Sequence, residues 1–250
     1  MATRDEFWTA LQFMTRLPVP QDIAHSDEGF ARSARFYPAV GLVVGGIAAL
    51  VYFLACWRLN DGLAAGLALL AAAGVTGALH EDGLADSADG LIGGRDRDHA
   101  LAIMRDHQVG VYGALALVFA IGLQWSVLEE LSDWSVVWAL VAGHALSRAA
   151  VAEVIGRYDY ARTETAKFAR PTLGSEDLTY ARLWALGIAI AAGLLLGFGA
   201  VLLGLLGAAL AASGLAQVFH RKLGGYTGDC LGATQQVAML GFLIGVALWL

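Results

Sequence analysis

The chain has 250 residues, 58% of them hydrophobic and 15% charged, with a mean hydropathy of +0.61 and a net charge of −6. That balance leaves too little polar surface to cover a soluble domain of this length. The two cysteines, Cys56 and Cys230, exclude a disulfide framework and a cysteine-spaced metal site.

The opening MATRDEFWTALQFMTRLPVP lacks the apolar core of a secretory signal. Phe7, Trp8, Leu11 and Met14 fall on one side of a helical wheel, which predicts an interfacial helix ending at Pro18 and Pro20. A membrane-crossing helix needs about 20 apolar residues, because each residue rises about 1.5 Å across a hydrocarbon layer of roughly 30 Å. Residues 36–57, 62–79, 111–128 and 233–250 meet that requirement. Residues 134–155 do as well, with His144, Arg148 and Glu153 inside the run. From Leu183 to Phe219 there is no Asp, Glu, Lys, Arg or His, a length that predicts two crossings turning near Gly197 to Gly199. The expectation is an all-α, polytopic helical membrane protein, residues 1–250 forming one catalytic domain with about seven crossings.

Charge gives the orientation. Arg4, Arg16, Arg32 and Arg35 precede the first crossing; Arg95, Arg97 and Arg105 lie in the 80–110 segment. Arg157, Arg162, Lys167, Arg170 and Arg182 lie in the 156–182 loop, with Arg221 and Lys222 in the 220–230 loop. Seven crossings put all of these on one side, against Arg58 and the acidic turn Glu129, Glu130, Asp133 on the other. The positive-inside rule then predicts a cytoplasmic amino terminus, an outside carboxyl terminus and cytoplasmic polar loops.

Residues 79–94, LHEDGLADSADGLIGG, follow a run without charge and carry Glu81, Asp82, Asp86 and Asp89 beside His80. A helix over 80–93 spaces Asp82, Asp86 and Asp89 at i, i+4, i+7, on one narrow face. Like charges on one stripe repel, and a divalent cation offsets them; hard carboxylate oxygens suit Mg²⁺, which shares itself with substrate phosphates. Glu81, Asp82, Asp86 and Asp89 are the candidate metal ligands, and His80 is a substrate or supporting group.

Two loops add to this site. IMRDHQVGVYG at 103–113 carries Arg105 and Asp106, and RKLGGYTGDCLGA at 221–233 carries Lys222, Gly224, Gly225, Thr227, Gly228 and Asp229. Glycines permit close backbone approach, and successive N–H groups can cradle phosphate. Arg148, two turns inside a crossing, must face the bundle interior and pair with a carboxylate or a substrate phosphate. A metal site, a phosphate cradle and a buried arginine together point to phosphoryl transfer. Asp106 or Asp229 would orient or deprotonate the attacking hydroxyl, and Arg105 and Arg148 would stabilise developing charge. The rival from another class is a cation- or proton-coupled transporter, although the ionisable residues crowd one face and no inverted repeat is visible.

The DGxxAD…DG pattern is loosely similar to the acidic motif of the CDP-alcohol phosphotransferases, but Ala85-Asp86 stands where that family has an Ala-Arg pair. A closer likeness runs through FMTRLPVP (13–20), FYPAVG (36–41), HEDGLADSADG (80–90), IMRDHQVGVYG (103–113), LSRAA (146–150), YARTE (160–164) and KLGGYTGDCLGA (222–233). These segments, in order along nearly the whole chain, resemble the cobalamin-5′-phosphate synthase (adenosylcobinamide-GDP ribazoletransferase) family. The resemblance implies a Mg²⁺-dependent enzyme of the bacterial inner membrane that joins adenosylcobinamide-GDP to α-ribazole 5′-phosphate, or α-ribazole, with release of GMP. It implies the bilayer and those two substrates as partners, and no nucleic acid. A homo-oligomer packed through small-residue stretches such as 204–214 is a further expectation.

Overall fold

A computed structural model describes residues 3–24, 26–106, 108–131, 134–161 and 173–250. Asp133, Arg162, Lys167 and Arg170, used in the charge count above, lie outside them, as does part of YARTE. The described residues form helices α1 (Thr3–Met14), α2 (Asp27–Ser33), α3 (Tyr37–Ala55), α4 (Asp61–Thr76), α5 (Leu79–Gly93) and α6 (Arg97–Ile103). They continue as α7 (Val111–Glu130), α8 (Trp134–Arg157), α9 (Ser175–Leu196), α10 (Phe198–Leu223) and α11 (Gly228–Ala247), with a 3₁₀ turn, Ala34–Phe36, leading into α3.

Among the described residues, six helical stretches are long and apolar enough to cross a membrane: Asp27–Ala55, which includes α3, then α7, α8, α9, α10 and α11. The expected turn inside the long uncharged run is present, with Gly197 at φ +90° between α9 and α10. The remaining expected crossing differs. α4 stops at Thr76, and α5 leaves it at 89°, so the run that reads as one straight crossing is a bent pair. The break is two residues in the left-handed region, Gly77 at φ +64° and Ala78 at φ +57°. The Ala78 N–H reaches back to the Ala73 carbonyl at 2.8 Å, a Schellman-type closure that ends α4. The Arg16 N–H donates to the Val75 carbonyl at 2.7 Å, joining the end of α1 to the end of α4.

α1 behaves as its apolar stripe predicts: Leu11 and Met14 are buried, and Phe7 and Trp8 pack on the core. Its polar side carries a contact that the stripe does not reveal. Buried Glu6 pairs with Arg35, and Arg35 Nη1 also reaches Asp177 of α9 at 3.3 Å. The Arg35 guanidinium lies over the rings of Phe36 and Tyr180. Elsewhere Arg97 of α6 donates to the carbonyls of Leu223 and Ala161, and Lys222 to that of Gly94. These links gather α1, α6, the start of α9 and the ends of α5, α8 and α10 on one face of the bundle.

Small residues bring helices together. A side chain on Gly207 or Gly241 would strike the backbone of the other helix, so α10 and α11 touch main chain to main chain there. Part of the 204–214 stretch is thus used within the chain, while Leu202, Leu206 and Leu210 face outward.

Candidate active site

α5 carries the acidic stripe as a helix, and its placement is set by one crossing. A Cβ on Gly83 would meet the backbone of Asp229 and Gly232, and one on Gly232 would meet that of Gly83 and His80. Only glycine at both positions lets the first turns of α5 and α11 touch. That contact brings Asp82 and Asp229 to the rim of the same cavity, of about 220 Å³. Phe13 and Met14 of α1, Tyr37 of α3, His80 of α5, Val151 of α8 and Gly228 of α11 also line it.

The site residues divide. Asp82 is exposed on the cavity and Asp86, one turn on, is half-buried. Asp89 is 8% exposed and caps α7: its Oδ2 accepts from Gly110 N–H at 2.7 Å and its Oδ1 from Gly113 N–H at 2.9 Å. A carboxylate there satisfies two first-turn donors and complements the helix dipole. Glu81 points to the far side of α5, where Gln236 Nε2 donates to its Oε1 at 2.9 Å. Among the described residues no three His, Cys, Asp or Glu side chains approach closely enough to hold a metal ion by themselves.

The glycine-rich turn is largely structural. Gly224 ends α10 at φ +74°, and the Tyr226 N–H and carbonyl bond Asp159 and Ala161 on either side of Tyr160. Gly225 lies against the Asp159 carbonyl, and Lys222 is held at Gly94. Buried Thr227 is the N-cap of α11, its Oγ1 accepting from Cys230 N–H at 3.3 Å. What this turn presents to the cavity is Gly228 and the positive end of a 20-residue helix. Arg105 and Asp106 are exposed in the turn between α6 and α7 and are not among the residues that line the cavity. Asp106 Oδ1 accepts from Gln108 N–H at 3.3 Å. Arg148, 1% exposed, lies inside the bundle as expected, its Nη1 donating to the His144 carbonyl at 2.9 Å. It lies one turn from Val151, behind the cavity wall.

Tyr37 was not foreseen. It sits in FYPAVG, which reads as the apolar start of a crossing, yet its fully buried hydroxyl has no hydrogen-bond partner and its side chain lines the cavity. Phe13 stacks on it, ring centroids 6.3 Å apart. No signal of spacing or charge marks either aromatic; only the return of α1 across the start of α3 brings them to the site.

Comparison with known proteins follows the same lines. The family model described as cobalamin-5-phosphate synthase matches residues 6–247. The chain is 41% identical over 247 residues to the adenosylcobinamide-GDP ribazoletransferase of Shewanella amazonensis, covering 97% of this chain and 95% of that one. It is 43% identical to the enzyme of the same name from Leptothrix cholodnii, covering 96% of this chain and 95% of the relative. The corresponding figures for Ralstonia nicotianae are 40%, 97% and 94%. No solved structure matches.

Proposed function

The chain belongs to the cobalamin-5-phosphate synthase family, and we propose that it performs that family's transfer at the cavity between α1, α3, α5 and α11. It is a multi-pass membrane transferase. In this reading adenosylcobinamide-GDP and α-ribazole 5′-phosphate, or α-ribazole, are joined, giving adenosylcobalamin 5′-phosphate, or adenosylcobalamin, and GMP. The membrane is the bacterial inner membrane, with the site open to the cytoplasm. The observation that carries the reading is the convergence of Asp82, Asp229, the α11 N-terminus and the Tyr37 side chain on one cavity.

At about 220 Å³ the cavity is too small for a corrinoid, which must lie outside it. Asp229 takes the proton of the ribose hydroxyl as its oxygen bonds the phosphorus nearer cobinamide, and the bond to the GMP oxygen breaks. The α11 N-terminus and the Tyr37 hydroxyl donate to phosphoryl oxygens as charge builds. Arg148 adds positive potential from behind the wall. Mg²⁺ fits the donor set, since it binds through one or two carboxylates and completes its shell with water and substrate phosphates. Asp82 and Asp86 would hold it, and its chemistry there is to neutralise the diphosphate.

The test is direct. Purified protein incubated with Mg²⁺, adenosylcobinamide-GDP and α-ribazole 5′-phosphate should release GMP and the joined product, read by mass analysis. CDP-alcohols should not compete. Turnover near the wild-type rate in Asp82→Asn or Asp229→Asn would remove the site assignment.

A further inference from the structure

The first turn of α5 separates two cavities. His80 faces the one described above; Glu81 faces a second, of about 200 Å³, between α4, α7, α8 and α11. Its rim is apolar, with Leu70 and Trp125 at the outer surface of the bundle. Its floor is polar: Glu81, Gln124, His144, Gln235 and Gln236. These lie in the middle turns of their helices, except Glu81 at the start of α5.

Three floor atoms are buried and have no partner: Glu81 Oε2, His144 Nε2 and Gln235 Oε1. Their hydrogen-bonding characters follow from their neighbours. The Gln235 amide donates to Ser147 Oγ at 3.0 Å, which leaves its oxygen turned away as an acceptor. His144 Nδ1 lies 3.3 Å from Arg148 Nη1, which can only donate. Nδ1 therefore accepts, and the ring proton sits on Nε2 as a donor. Glu81 Oε2 is an acceptor. Acceptors and a donor thus stand side by side on residues that line one space. They suit a small neutral molecule that donates and accepts at once.

The geometry points to a cluster of ordered water in this chamber, inside the membrane-spanning bundle and apart from the transfer site. At about 30 Å³ per molecule the space holds on the order of five waters, and each of the three orphaned atoms gains a partner. A buried polar atom left without one forfeits its hydration with nothing in return, so the dry chamber is the unfavourable state.

Radiolytic footprinting of the full chain in nanodiscs tests this, because hydroxyl radicals form from water beside the labelled side chain. Met239 is 1% exposed and lines the chamber; Met104 is 3% exposed and lines neither cavity. Met239 should gain oxygen about fivefold faster than Met104, with ¹⁸O incorporated when the protein is equilibrated in labelled water. Gln235→Leu and His144→Phe each remove an anchoring atom and should slow Met239 labelling. Equal rates at the two methionines in the wild-type protein overturn the inference, which keeps it decidable should the variants not fold. A small amphiphile extracted from the purified protein at about one per chain, absent from Leu70→Trp, would overturn it as well.

Discussion

Asp82, Asp86 and Asp89 share one helix face and stand in three environments, which gives their removal three different expected effects. Asp89 bridges two backbone donors of α7, so Asp89→Ala should lower unfolding stability by about 2 kcal/mol, read as a shift in thermal or denaturant midpoint. Asp82 contributes nothing of the kind. Asp82→Asn should leave the midpoint unchanged and lower kcat by at least ~100-fold, close to 3 kcal/mol of transition-state stabilisation. Tyr37 makes the sharper case. Removing a buried hydroxyl that has no partner costs no stability, so Tyr37→Phe should unfold at the wild-type temperature or above. If the hydroxyl meets the phosphoryl group only in the transition state, kcat should fall roughly 10- to 100-fold with KM little changed. The spacing of the aspartates was legible in the sequence. Their division was not, because rotation of α5 is decided by the Gly83–Gly232 contact with a helix some 150 residues away.

The break between α4 and α5 is the element on which that rotation depends. An uncharged run through residue 79 reads as one straight crossing, and nothing in its hydropathy marks a bend. The signal is local: Gly77 is followed by a residue that must also turn left-handed, and the sequence supplies Ala78. Alanine in that region costs roughly 1–2 kcal/mol and glycine does not, so Ala78→Gly should stabilise the protein by up to about 1 kcal/mol after the entropy glycine adds to the unfolded chain. Gly77→Ala runs the other way. It places a β-carbon both at φ +64° and against the Arg16 side chain, and should cost ~2 kcal/mol or more. Equilibrium denaturation of the two variants in one detergent measures both signs. If the bend serves the cavity, Gly77→Ala should also raise KM, since α1 is tied to α4 through Arg16 and carries the Phe13–Met14 wall.

At the scale of the whole molecule, the crossings and their common face were readable from hydropathy and charge, because both are sums over many residues and tolerate local error. The ties that close that face were not: buried Glu6 reads as the acidic start of an amphipathic helix, and Asp177 as the first turn of another. Orientation in the bilayer follows from the same sums. Arg95, Arg97, Arg157, Arg182, Arg221 and Lys222 lie on the face that bears the cavity, while Arg58 stands with Glu129 and Glu130 at the opposite ends of the helices. Lysine and arginine resist translocation, so the cavity face should be cytoplasmic. The proposed transfer points to the same side, since a nucleoside diphosphate is charged and does not cross a hydrocarbon layer unaided. In spheroplasts of a Cys56→Ser background, a membrane-impermeant maleimide should therefore label Trp249→Cys at once. Arg95→Cys, whose parent side chain is 81% exposed, should be labelled only after permeabilisation. Labelling in the reverse order would place the acidic helix outside and overturn the cytoplasmic assignment of the site.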